Sequence, residues 1–169
     1  IVPHSPLVIR SSTSYGDRML NFTQEHYGSK VIAWVKGMLS EQEVLPLALI
    51  GPSKSGKSHF VEGLKSWVRV HYLAGVLSHP KGFNDVMEYA KVLVSEGEEI
   101  PDMYSYARFV EIRSPFRPTK EVRNRYACIG CYREDSSVIP ECAIKIQLNE
   151  VPEGRCLPSA KFLVLELLK

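Results

Sequence analysis

The chain lacks any run of about 18 uninterrupted apolar residues, so no membrane span is expected. Its start, Ile1-Val2-Pro3-His4-Ser5-Pro6, has neither a basic n-region nor an apolar h-region, so no secretory signal is read there. It also lacks an initiator Met, which reads as an excised part of something longer. No internal repeat or low-complexity tract is present. Charge of one sign is not in excess. The net charge is +2, so the whole-chain balance does not mark a nucleic-acid binder. Cysteine is scarce, with Cys128, Cys131, Cys142 and Cys156 the only four. Cys128-Ile129-Gly130-Cys131 has the spacing of half a zinc site, but no second close pair completes it. Small core residues are the reading preferred for these cysteines, and a cytosolic or nuclear compartment would keep them reduced.

What is present is enough for one compact α/β domain. The chain has 169 residues, 44% hydrophobic and 24% charged, in the range of ordinary globular proteins. The most informative stretch is Gly51-Pro52-Ser53-Lys54-Ser55-Gly56-Lys57-Ser58, a G-x-x-x-x-G-K-S phosphate-binding P-loop motif. Glycines permit a tight turn whose amide N–H groups face phosphate oxygens. Lys57 is expected to reach the β- and γ-phosphates, and Ser58 to ligate Mg²⁺. The following helix, beginning near His59, adds a dipole that favours an anion. The flanks agree with the motif. Val44 to Ile50 is a short apolar run that reads as a buried parallel strand. Phe60, Val61, Leu64, Trp67, Val68 and Tyr72 recur at helical spacing after it. The expected ligands are therefore ATP and Mg²⁺, held by Gly51 to His59.

Elsewhere the pattern is more mixed. Tyr15 to Leu39 predicts one helix, or two broken near Gly28. Phe83 to Val94 predicts another helix, ended by Gly97 and Pro101. Tyr106 to Ile112 reads as a strand, and Glu121 to Tyr132 as helix-like. Ala143 to Leu148 alternates with period two, as a half-buried strand does, and Lys161 to Leu168 reads as a further strand. The expected fold class is α/β, a P-loop NTPase with three αβα layers and a mainly parallel sheet, followed by a small β-rich C-terminal region. The expected divisions are a P-loop core with a helical lead-in over 1–112, a basic lid or RNA-contact segment over 113–135, and the β-rich region over 136–169.

An acid at the end of a neighbouring strand should hold Mg²⁺ or activate the nucleophile. Glu111, after Ala107-Arg108-Phe109-Val110, is the preferred candidate, and Glu166 a weaker one; either also reads as a solvated charge. Arg108, Arg113, Arg117, Lys120, Arg123, Arg125 and Arg133 fall in one stretch interleaved with Tyr104, Tyr106, Phe109, Phe116, Tyr126 and Tyr132. Guanidinium groups bind phosphates bidentately and aromatic rings stack unpaired bases. The stretch therefore reads as a nucleic-acid groove, as a lid carrying Arg117, Lys120, Arg123 and Arg125 to the phosphates, or as a solvated face.

Three segments resemble the polynucleotide 5′-hydroxyl kinases of RNA processing, in the nucleolar pre-ribosomal branch. They are Leu47 to Phe60 around the P-loop, Thr119-Lys120-Glu121-Val122-Arg123-Asn124-Arg125-Tyr126, and Pro140 to Ile146 with Val151-Pro152 and a final apolar strand. The likeness covers half the chain. The family's acidic cluster and its Thr-x-Gly-Trp lid pattern are absent. The resemblance implies transfer of the γ-phosphate of ATP to a 5′-hydroxyl RNA end, an endoribonuclease partner, and a location in the nucleus and nucleolus. Two other readings compete with it, a helicase-type P-loop ATPase motor and a nucleotide-binding scaffold without turnover.

Overall fold

The structure, a computed structural model, describes residues 25–74 and 82–153. A helical turn ends at Tyr27, and Gly28 (φ 84°) breaks the backbone before α1 (Ser29–Leu39). α1 buries Val31, Trp34, Val35 and Met38, an i, i+3, i+4, i+7 stripe, and leaves its other face polar. The Trp34 indole donates to the Leu45 carbonyl at 2.8 Å, which fixes the path into the first strand.

The main sheet has five strands, all paired in parallel. They are β1 (Leu47–Ile50), β2 (Val70–Tyr72), β3 (Val92–Glu96), β6 (Ala127–Tyr132) and β7 (Ile144–Gln147). Their order across the sheet is β2-β3-β6-β1-β7. β1, β3 and β6 form the centre and are buried almost throughout, as a parallel sheet covered on both faces requires. One face carries Leu47, Leu49, Val92, Val94, Ile129 and Ile146, packed against α1 and α2 (Lys57–Leu64). The other face carries Leu93 and Cys128. It is covered by a 3₁₀ turn at Asp85–Met87, the single-turn α3 (Asp102–Ser105) and an antiparallel hairpin of β4 (Phe109–Ile112) and β5 (Lys120–Arg123).

The α/β class and the mainly parallel sheet agree with the sequence, as do the strand before the glycine loop and the break at Gly28. Two expected helices are strands. Phe83 to Val94 holds the 3₁₀ turn and then β3, and Glu121 to Tyr132 is divided between β5 and β6. A strand buried on both faces has no apolar periodicity, so spacing alone does not separate it from a buried helix. β6, from the expected 113–135 division, and β7, from the 136–169 division, flank β1 of the 1–112 division in one sheet. The strand expected at Lys161 to Leu168 lies outside the described residues.

Candidate functional site

At the C-terminal ends of β1, β3 and β6 lies a cavity of about 710 Å³, within the usual range for small-ligand pockets. Its wall is built from Ser53 to His59, from Glu96 at the end of β3 and Gly97 after it, and from Cys131 to Arg133 with Asp135 and Ser136. Parallel strands deliver these residues to one edge because their carboxyl ends all face the same way.

The loop is held in shape by identifiable contacts. Gly56 is left-handed at φ 92°, where a side chain would be strained. Gly51 has a different constraint. A Cβ there would stand 2.5 Å from the Leu148 carbonyl oxygen and 3.0 Å from Ser55 Oγ. Lys54 also adopts positive φ, 61°, and its carbonyl accepts from the Val151 N–H at 2.9 Å. Tyr27, buried with its ring tilted against that of Phe60, donates its hydroxyl to the Gly56 carbonyl at 2.8 Å. His26 Nε2 lies 2.6 Å from the Ser55 carbonyl oxygen. The sequence reading did not assign Tyr27 or His26 to the loop, because contacts across 29 residues leave no local pattern.

Gly51 and Pro52 do not form the cavity wall. Their carbonyls accept hydrogen bonds from Lys57 Nζ, that of Pro52 at 2.8 Å. Ser55 Oγ is a further partner at 3.2 Å. Partial burial lowers the Lys57 pKa, Arg133 lowers it further, and Cys131 and Glu134 oppose the fall. Ser58 and His59 lie on the wall in the first turn of α2.

Of the carboxylates, Glu96 and Asp135 form part of this wall, and Glu111 does not. Val92-Leu93-Val94-Ser95-Glu96 is an apolar strand that ends in a carboxylate, the pattern sought in the sequence. The sequence reading places Val92 to Val94 at the end of a helix, which leaves no strand there to end in Glu96. Glu111 lies on β4, half exposed, and accepts from Arg113 at 2.9 Å. Glu166 lies outside the described residues. The basic residues also divide. Arg117, Lys120, Arg123 and Arg125 are exposed on or beside the hairpin, and none forms the cavity wall. Arg133 does.

Mg²⁺ fits the oxygen donors present. Ser58 and Glu96 supply one hydroxyl and one carboxylate on the same wall, and Mg²⁺ in phosphate sites commonly takes only one or two protein oxygens. The C-x-x-C pair does not converge on a metal. Cys128 packs on the hairpin face of the sheet and Cys131 on the helix face, and burial pushes both thiols up to about 12.

The hairpin is a separate surface. Asn84, itself buried, clamps it. Its Nδ2 donates to the Glu111 carbonyl at 2.9 Å and its Oδ1 accepts from the Arg113 N–H at 2.7 Å. Asn124 ties the base, donating to the carbonyls of Tyr104 and Ala107 at 2.9 and 2.8 Å. In the connection between the two strands, Phe116 is fully exposed at φ 61°, followed by Arg117. Phe83 and Tyr89 are also exposed, on the segment that packs beside the hairpin.

No family model matches this chain, and no curated protein does. Solved structures of the C-terminal region of NrS-1, in an A form described as apo, share its fold. One, of residues 305–718, superposes with a TM-score of 0.62 at 14% identity over 99% of this chain. Another gives 0.59 at 15% identity, again over 99%. This chain spans less than half of either, 44% and 43%. At such identities the likeness is one of fold.

Proposed function

We propose that the chain is a P-loop NTPase domain that hydrolyses ATP and engages single-stranded nucleic acid, as a helicase-type motor does. The observation that carries this reading is that Glu96 shares the cavity wall with Ser53 to His59, with β6 between their strands. Two strand spacings, about 9–10 Å, then separate the loop's strand from the acid's. That is room for a terminal phosphate and a water molecule.

Each residue has a task in this scheme. The loop's amides and Lys57 hold the phosphates, and Ser58 and Glu96 supply oxygens to Mg²⁺. Bound Mg²⁺ neutralises charge on the phosphates. Glu96 accepts a proton from water as its oxygen bonds to the terminal phosphorus. The bond from that phosphorus to the bridging oxygen breaks, and ADP leaves with the electron pair.

The 5′-kinase expectation requires an RNA end beside the same terminal phosphate. The basic hairpin residues that were to grip RNA stand off the cavity wall, which supports water as the acceptor. A scaffold without turnover calls for no acid beside the phosphates, so Glu96 on the wall supports turnover.

The test is incubation with γ-labelled ATP, with and without a 5′-hydroxyl RNA oligonucleotide. Free labelled phosphate is expected, released faster with RNA. Glu96→Gln should bind ATP but lose about 10²–10⁴-fold in turnover. Lys57→Ala should lose nucleotide affinity while keeping its melting temperature. Label on the RNA end would replace this reading with the kinase, and binding without any product would leave the scaffold.

A further inference from the structure

The sequence grouped Arg133 with the basic hairpin, but the backbone separates it from that group. β6 is hydrogen-bonded on one side to β1, which leads into the glycine loop, and on the other to β3, which ends at Glu96. In register, Cys131 is level with both Leu49 and Glu96. Two bonds beyond the strands fix the exit. The Gly51 N–H donates to the Tyr132 carbonyl at 3.0 Å, and the Gly97 N–H donates to the Cys131 carbonyl at 2.8 Å. The chain that leaves β6 is thus tied to the first residue of the loop and to the residue after the acid. Arg133 is the next residue out.

Alternation along β6 gives the sides of its last residues. Ala127, Ile129 and Cys131 face the helices, and Tyr132 faces away, lying across Gly130. Arg133, the first residue after β6, is exposed and forms part of the cavity wall. Its charge acts on Lys57. No ion pair engages its guanidinium among the described residues, whereas Arg113, Lys120 and Arg123 each have a carboxylate partner.

We infer that Arg133 is a specificity-determining residue that binds the terminal phosphate of a nucleoside triphosphate and distinguishes it from the diphosphate. Lys57 and the loop amides hold the phosphates from the loop side. Arg133 adds a planar fork of N–H donors from between the loop and the acid. It is held there by the same two backbone bonds that set the spacing of the loop and Glu96. The inference rests on nucleotide binding at this cavity, but not on hydrolysis.

The experiment is equilibrium binding of β,γ-imido-ATP and of ADP, each with Mg²⁺, to the wild type, Arg133→Ala and Arg133→Lys. The alanine variant should lose about 10–100-fold in affinity for the triphosphate analogue, the effect of one charge-assisted hydrogen-bonded contact. ADP affinity should stay within about 2-fold by the same conversion, and lysine should recover part of the loss. Equal losses for both nucleotides, or no loss for either, would overturn the role given to Arg133 and leave the binding site standing. A wild type that binds neither nucleotide would overturn the site and this role together. Unchanged melting of the variants without nucleotide separates these results from misfolding.

Discussion

Gly51 and Gly56 occupy the two glycine positions of one motif for different reasons. Gly56 requires positive φ, and Gly51 requires that nothing project toward Leu148. Gly51→Ala should therefore act as overpacking, destabilising by about 1–3 kcal/mol and displacing the loop from Leu148. Chemical denaturation with a parallel nucleotide titration checks both effects. Tyr27→Phe should keep the ring packing on Phe60 and leave the Gly56 carbonyl without that donor. The expected cost is about 1 kcal/mol of stability, with weaker nucleotide binding. Lys57 gives a pH prediction. Phosphate binding uses the charged ammonium, and partial burial lowers its pKa. As pH rises the charge is lost earlier than on an ordinary lysine, so ATP affinity should fall correspondingly earlier on the alkaline side. Arg133→Ala removes one of the lowering influences and should move that alkaline limb upward. Binding titrations from neutral to alkaline pH read both curves.

At the scale of elements, the hairpin β4–β5 is the part that the sequence described least well. Its strands are short and partly exposed, and Pro115 and Pro118 interrupt the connection, so neither period is sustained. Its attachment depends on two asparagines whose partners are remote in sequence. Asn84→Ala leaves a buried carbonyl and N–H without their side-chain partners. It should cost about 1–3 kcal/mol and speed amide exchange in β4 selectively, leaving β1 and β6 protected. If the hairpin carries the nucleic-acid contact, Phe116→Ala with Arg117→Ala should weaken single-stranded RNA binding while basal ATP hydrolysis is retained. Equal RNA affinity in that variant would remove the hairpin from the contact surface. β3 shows the opposite legibility problem. Its Val-Leu-Val run is plain, but burial on both faces removes the alternation that identifies a strand.

For the molecule as a whole, the near-neutral balance hides an uneven distribution, with exposed Arg117, Lys120, Arg123 and Arg125 on one projection. Nucleic-acid affinity should then be strongly salt-dependent despite the net charge of +2. For single strands, each phosphate contact contributes about 0.7 to the slope of log affinity against log salt. Replacing both Arg117 and Lys120 by Ala should flatten that slope by about 1.4 if each holds one phosphate. A salt titration of oligonucleotide binding measures it.

The sequence by itself determined the glycine loop, the strand before it, the start of the helix after it and the α/β class. Each of these is specified within a few consecutive residues by backbone permissiveness, local charge and apolar patterning. The helical spacing read through Tyr72, by contrast, ends at Leu64 and gives way to β2. The tertiary structure decided which residues share the cavity wall with the loop, Glu96, Arg133 and Asp135 among them, and that Tyr27 and His26 contact the loop backbone. Those assignments depend on the order β2-β3-β6-β1-β7, which brings Glu96 and Arg133 to the loop across hydrogen-bonded strands and leaves Glu111 on the hairpin. Strand order arises from long-range pairing and from burial on both faces of the sheet, and neither leaves a mark at the spacing of neighbouring residues.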